Sequence, residues 1–155
     1  MVYTGDEKGG TAAVLGQAFR ALGRGLRVCI INFAPGISIS QHLAWPDRGH
    51  GLLEVHDLNE DAAPDSGEGG KRGGTELGLT LVKDALTSGR FDMVVLTDIA
   101  ALTNQPAAGE ERVIDILRSR PEGLHVLVTG QDVPDAIISA ADLVTVARAS
   151  TSFTE

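Results

Sequence analysis

The chain has 155 residues, a length that suits one domain with a sizeable core. Its formal net charge of −8 disfavours nucleic acids and anionic membranes as main partners. The single cysteine, Cys29, excludes an internal disulfide, and its apolar neighbours predict a buried structural thiol. Because no apolar run has transmembrane length and the start lacks the features of a signal peptide, we expect a cytoplasmic protein.

The first element is a short apolar strand at Val2 and Tyr3, followed by a Gly-rich turn and a helix over residues 11–22. Glycines let the backbone approach an anion, and the following helix directs its N-terminal N–H groups toward it. The stretch therefore predicts a phosphate-binding loop; the residues expected to contact the phosphates are Gly5, Asp6, Lys8, Gly9, Gly10, Thr11 and Ala12.

This loop departs from the pattern G-x-x-x-x-G-K-[ST], both in spacing and because Gly10 stands where a lysine is usual. A tight turn without a ligand is therefore an alternative interpretation. Two roles are open for Thr11, which either binds Mg²⁺ through its hydroxyl or caps the helix. Lys8 either reaches a phosphate or is a solvated turn residue.

The rest of the chain alternates strands and helices. Apolar runs rich in β-branched residues predict strands over residues 27–33, 91–96, 124–129 and 143–146, and helical patterns cover residues 75–87, 109–118 and 134–140. The segment 35–74 is rich in Gly, Asp, Pro and Ser, and residues 59–74 have almost no large apolar side chain, so we interpret it as a long loop with a short element near residues 51–55. The alternation predicts an α/β sandwich, a mostly parallel sheet covered by helices on both faces, with ligands at the carboxyl ends of the strands.

Two further positions face that end of the predicted sheet. Asp98 follows an apolar strand, where a carboxylate can hold Mg²⁺ or its water; capping of the turn is the alternative. Gln131 follows the next strand and is placed to contact phosphate or sugar, although a plain turn is an equal interpretation. Asp92 begins its strand and lies at the opposite end. The four histidines have no metal-ligand spacing.

In this order the segments resemble the P-loop type of ATP:corrinoid adenosyltransferase. The opening Tyr3-Thr-Gly-Asp-Glu-Lys-Gly-Gly-Thr-Ala-Ala13 is similar to the family's T-G-[DN]-G-K-G-K-T-T-A-A. Asp92-Met-Val-Val-Leu-Thr-Asp98 is similar to D-x-V-V-L-D-E, and Thr129-Gly-Gln131 to T-G-R. The A-D-L-V-T of the last strand is intact at Ala141-Asp-Leu-Val-Thr145.

The resemblance implies a reaction and its ligands. Family members place the triphosphate of ATP on the loop with Mg²⁺, and a reduced corrinoid attacks the 5′ carbon so that tripolyphosphate leaves. Carried over to this chain, it implies that Thr11 and Asp98 serve the metal and that the loop residues and Gln131 serve the nucleotide. Relatives are commonly dimeric, so a homodimer or a heterodimer with a relative is expected.

The departures from the family pattern all affect the phosphate site. Gly10 replaces the loop lysine, Glu7 replaces a glycine, Thr97 replaces an acidic residue and Gln131 replaces an arginine. Each change removes positive charge, adds negative charge or removes a metal ligand. We therefore expect a divergent adenosyltransferase with weak or lost activity. The alternative is a non-catalytic relative that acts as a nucleotide-binding, regulatory or partner subunit.

Overall fold

The computed structural model describes residues 1–5, 7–34, 38–42, 51–58, 68–106 and 108–148. It has six strands, which are β1 (Val2–Gly5), β2 (Val28–Asn32), β3 (Leu53–Asp57), β4 (Met93–Thr97), β5 (His125–Gly130) and β6 (Val144–Ala147). They form one sheet in the order β3-β2-β4-β5-β1-β6, and every paired strand is parallel. The predicted fold class, an α/β sandwich of the P-loop type, is confirmed.

The central strands are hydrophobic along their whole length because helices cover both of their faces. Every residue of β2 and of β4 is buried. A strand that is covered on both faces needs apolar residues at nearly every position, without the apolar–polar alternation of a half-exposed strand. The register aligns the ends of these strands, pairing Asn32 with both Thr97 and Asp57.

The helices are α1 (Glu7–Leu22), α2 (Ile39–His42), α3 (Glu68–Thr87), α4 (Ile99–Thr103), α5 (Glu110–Arg118) and α6 (Asp135–Ser139). Helix α1 packs on one face of the sheet, where Val14 and Ala18 meet Ile30 and Val95. The other face carries a larger apolar cluster contributed by α3, α4, α5 and α6. Each face of the sheet therefore has its own core.

Several element boundaries differ from those predicted. Helix α1 begins at Glu7 rather than Thr11, and α3 begins at Glu68 rather than at residue 75. Within the predicted loop 35–74 the structure contains α2 and β3, and β3 is the short element expected near residues 51–55. Helix α4, which is only five residues long, was not predicted. No helix among the described residues is long and apolar enough to cross a membrane.

One glycine is required by the sheet itself. Gly5 ends β1 with φ +97°, and a Cβ built on it would lie 2.2 Å from the carbonyl oxygen of Ala147 on β6. The atoms that this Cβ would meet are backbone atoms of Ala147, which cannot move away unless β6 is displaced. Only glycine allows β6 to approach β1 this closely at the carboxyl end of the sheet.

Candidate functional site

The carboxyl ends of the parallel strands bring together most of the polar residues that the sequence singled out. Gly5 ends β1, Thr97 and then Asp98 end β4, and Thr129 and Gly130 end β5. These three strands are consecutive in the sheet, in the order β4-β5-β1. A crevice at such a position is where doubly wound α/β proteins bind their ligands.

The first turn of α1 occupies the place of the predicted loop. Residues 7–10 are helical, so Lys8, Gly9 and Gly10 lie in this turn rather than in an irregular loop. Thr11 is half-buried at the fifth position of the helix, so the alternative in which it caps the helix is wrong. Asp6 and the side chain of Lys8 lie outside the described part of the chain. The first turn still meets the general requirement for an anion, because its N–H groups point beyond the helix.

Gly10 is one of the points where α1 lies close to the sheet. It is buried, and a Cβ built on it would lie 3.7 Å from Cβ of Tyr3 and 4.0 Å from Cβ of Thr129. These are ordinary van der Waals distances, so a side chain can start at this position without displacing the backbone. Ala12, two residues further along the helix, is exposed.

Asp98 adopts an unusual backbone conformation. Its φ of 53° and ψ of 54° are left-handed, and it is the one residue other than glycine with positive φ in the described ranges. Its N–H donates to Oγ1 of Thr129 over 3.3 Å. It occupies the N-cap position of α4, yet among the described residues no side-chain hydrogen bond caps that helix. The predicted alternative, in which the Asp98 side chain caps the turn, is therefore not what the structure contains.

A buried hydrogen-bond network lies beside Asp98, at the ends of β2, β3 and β4. The hydroxyl of Thr97 donates to Oδ1 of Asn32 over 2.7 Å, and Nδ2 of Asn32 donates to Asp57 over 2.8 Å. Thr97 stands where the resemblance expects an acidic residue, and its side chain is committed to this bond. The position therefore supplies a structural hydrogen bond instead of a metal ligand.

Asp57 is the anchor of the network. Its carboxylate also accepts hydrogen bonds from the hydroxyl of Ser38 and from the backbone N–H groups of Ile39 and Ser40, at 2.9–3.0 Å. Burial by itself raises the pKa of Asp57, but hydrogen bonds from Ser40, Asn32 and Ile39 outweigh it and lower the pKa to about 2. The carboxylate is thus ionised at neutral pH, and its hydrogen bonds with the N–H groups of Ile39 and Ser40 hold the start of α2 against β3.

The two remaining predicted positions, Gln131 and Asp92, lie at opposite ends of the sheet. Gln131 is exposed at the carboxyl end of β5, and its carbonyl accepts a hydrogen bond from the hydroxyl of Thr4 over 3.2 Å. Asp92 lies at the opposite end, as expected, and forms a two-point ion pair with Arg27. That pairing lowers the pKa of Asp92 to about 2 and makes its role structural.

The described residues fit a magnesium ion only if the nucleotide supplies most of its ligands. Among them, no three His, Cys, Asp or Glu side chains are grouped closely enough to hold a metal. Mg²⁺ typically uses one or two protein oxygens and completes its shell with phosphates and water. Asp98 and Thr11 are the two protein oxygens that the sequence predicts for that arrangement.

One cavity of the described structure lies away from the carboxyl ends of the strands. It measures about 710 Å³ and lies at the amino ends of β1 and β5, with Met1, Pro121, Leu124 and Val126 in its lining. We place the functional site at the carboxyl end nevertheless, because strained Asp98, buried Gly10 and the polar network all lie there. The size of a cavity does not by itself identify a functional site.

Sequence reasoning missed three residues of this region: Asn32, Asp57 and Thr129. Thr129 had a signal, since it opens the motif Thr129-Gly-Gln131 after a predicted strand. Asn32 and Asp57 had only weak signals in the sequence. They meet because β2 and β3 are neighbours in the sheet, and a local pattern does not reveal the order of the strands.

Comparison with known proteins agrees with the geometry. Residues 1–153 match the family described as ATP:corrinoid adenosyltransferase BtuR/CobO/CobP. The chain is 30% identical to the corrinoid adenosyltransferase CobA of Salmonella typhimurium, over 96% of this chain and 75% of that protein. It is 29% identical to the corrinoid adenosyltransferase of Escherichia coli K12 with the same coverage, and 25% identical to that of Pseudomonas aeruginosa over 94% and 72%. The chain therefore belongs to the ATP:corrinoid adenosyltransferase family.

Proposed function

We propose that this chain binds MgATP at the carboxyl end of its sheet and is a divergent adenosyltransferase with weak or lost activity toward reduced corrinoids. Family membership supports the ligand class. The reduced activity rests on one observation above the others, namely that the first turn of α1 presents buried Gly10 where relatives of this type carry a lysine.

The missing lysine matters because the leaving group is a polyanion. A hydrogen bond to a charged group contributes about 1.5–3 kcal/mol. Losing one from the transition state corresponds to roughly a 10- to 150-fold slower reaction. Thr97, whose hydroxyl donates to Asn32, removes a carboxylate from the metal side of the site as well.

In this site each residue has a specific role. The N–H groups of the first turn of α1 contact phosphate oxygens, joined by Lys8, while Thr11 and Asp98 hold Mg²⁺ or its waters. Magnesium supplies charge neutralisation on the triphosphate. The chain itself positions the nucleotide and keeps its ribose accessible to a corrinoid.

The decisive experiment is calorimetric titration with MgATP of the native chain, Gly10→Lys and Gly10→Met. A Cβ at Gly10 meets nothing closer than 3.7 Å, so the backbone there accommodates the first atom of either side chain. We expect a native Kd of about 1 mM or weaker, equivalent to about 4 kcal/mol, and binding about 10- to 100-fold tighter in Gly10→Lys.

Gly10→Met is the matched control, because it has similar length without charge. Equal gains in both variants would show that volume and not charge limits binding. No gain in Gly10→Lys would contradict the proposed phosphate site. An anaerobic assay of corrinoid adenosylation with native chain and Gly10→Lys then measures the activity directly.

A second candidate function is a partner subunit without catalysis, favoured by the commitment of Thr97 to a structural bond. It predicts a stable complex with an active relative and a changed adenosylation rate on mixing. Homodimers that adenosylate corrinoid without a relative would exclude it.

A further inference from the structure

Asp98 is held in a conformation that its residue type disfavours. A left-handed backbone costs a residue other than glycine free energy, and such residues persist only where the surroundings enforce them. The following helix does not explain it, since the described structure has no side-chain cap on α4. A different contact must therefore enforce the conformation.

One contact that restrains Asp98 is its hydrogen bond with the hydroxyl of Thr129. Thr129 is 2% exposed at the end of β5, and its Oγ1 accepts the N–H of Asp98 over 3.3 Å. The N–H groups of a strand point toward its neighbouring strands, and this bond fixes the peptide unit between Thr97 and Asp98, where the turn begins. The bond thus offsets part of the conformational cost of the turn.

The residue before Asp98 is fixed as well. Thr97 is 1% exposed and donates to Asn32 on β2, which is on the opposite side of β4 from Thr129. Asp98 is therefore restrained from β2 through its neighbour and from β5 through its own amide. Thr129 also lies close to Gly10, since a Cβ built on Gly10 would be 4.0 Å from Cβ of Thr129. Its side chain is therefore near both the proposed phosphate-binding turn and the proposed metal ligand Asp98.

We propose that Thr129 is a positioning residue for Asp98: by accepting the Asp98 N–H it holds the left-handed turn that presents the Asp98 carboxylate to the magnesium ion of bound MgATP. The inference rests on the proposed MgATP site. It gives Thr129, a buried residue that cannot itself contact the ligand, a role in metal-dependent binding.

The test uses Thr129→Val, which keeps the shape and removes the acceptor, and Thr129→Ser, which keeps the acceptor. Thr145→Val, on exposed β6, is the matched control. Two quantities are measured: hydrogen exchange of the Asp98 amide, and the ratio of ATP affinities with Mg²⁺ and with EDTA. Affinities are measured in the native chain and in the Gly10→Lys background, where binding is stronger.

We expect Thr129→Val to speed exchange of the Asp98 amide about 10-fold, the equivalent of one hydrogen bond, and to lower the Mg²⁺-dependent gain in ATP affinity by about 3- to 10-fold. Thr129→Ser and Thr145→Val should leave both quantities near their native values. Equal weakening of ATP binding with Mg²⁺ and with EDTA would reduce Thr129 to a general structural role and overturn the proposal.

Two variants of Asp98 separate geometry from charge. Asp98→Asn tolerates the left-handed turn, so it should keep amide protection and lose the Mg²⁺ dependence. Asp98→Gly should raise Tm while losing the Mg²⁺ dependence, because glycine adopts this turn without strain. If no variant background binds MgATP, the proposed function fails and the metal role of Thr129 with it; slow exchange that survives in Thr129→Val overturns the geometric part independently.

Discussion

Among single residues, Asp57 shows how a charge is used for structure at this end of the sheet. Its carboxylate accepts hydrogen bonds from a buried amide, a hydroxyl and two backbone N–H groups. All of these donors favour the ionised form, which is why the pKa of Asp57 falls to about 2 despite burial. The free energy of folding therefore depends on this ionisation.

We predict that Asp57→Asn lowers the free energy of unfolding by about 1–3 kcal/mol at pH 7, because an amide cannot accept from all these donors. The folded pKa is below the ordinary value, so the stabilisation is present above about pH 5 and is lost as the pH falls toward 2. Urea unfolding at pH 7, 5, 4 and 3 should show the gap between native and variant closing with acid. Asp115→Asn, on the exposed side of α5, is the control, and a gap that stays constant with pH would contradict the assignment.

Among elements, the junction of β1 with β6 depends on a single glycine. The conformation of Gly5 and the approach of Ala147 act at the same position, and both exclude a side chain. Gly5 also lies only two residues before the first residue of α1. A change here should therefore disturb the sheet and the candidate site together.

We predict that Gly5→Ala lowers the free energy of unfolding by about 2 kcal/mol or more, since it adds both a positive-φ cost and a backbone clash. Gly16→Ala adds the same methyl group to α1, where a Cβ meets nothing within 4 Å. It should stabilise the chain by about 0.5–1 kcal/mol because alanine favours helix. Chemical denaturation of both variants checks the pair, and similar effects of the two substitutions would contradict the close approach of β6.

For the whole molecule, Cys29 offers a reporter of global unfolding. It lies at 1% exposure on β2, a strand paired on both sides. Burial is the main cause that raises the pKa of its thiol to about 12. Both effects keep the reactive thiolate out of reach until the sheet opens.

We predict that Cys29 reacts with a thiol reagent at pH 8 only as fast as the molecule unfolds globally. The free energy of opening from labelling rates should match that from denaturant unfolding, because β2 is buried along its whole length and paired on both sides. Cys29→Ser provides the unlabelled baseline. Labelling much faster than global unfolding would show that this edge of the core opens locally.

The sequence by itself determined the parallel α/β class and four of the six strands at near-correct bounds, and it placed Asp98 directly after the strand β4. Periodicity and apolar runs carry this information, because burial on two faces constrains every residue of a central strand. Family membership was also readable, since the opening, middle and last motifs survive in order.

Only the tertiary structure decided which residues meet. The order β3-β2-β4-β5-β1-β6 puts Thr97 beside Asn32 and Asp98 beside Thr129, partners that are far apart along the chain. The left-handed turn at Asp98 is hydrogen-bonded to β5, and Gly10 in the first turn of α1 lies close to β1 and β5. The local sequence pattern does not show which strands are neighbours, so it could not predict these contacts.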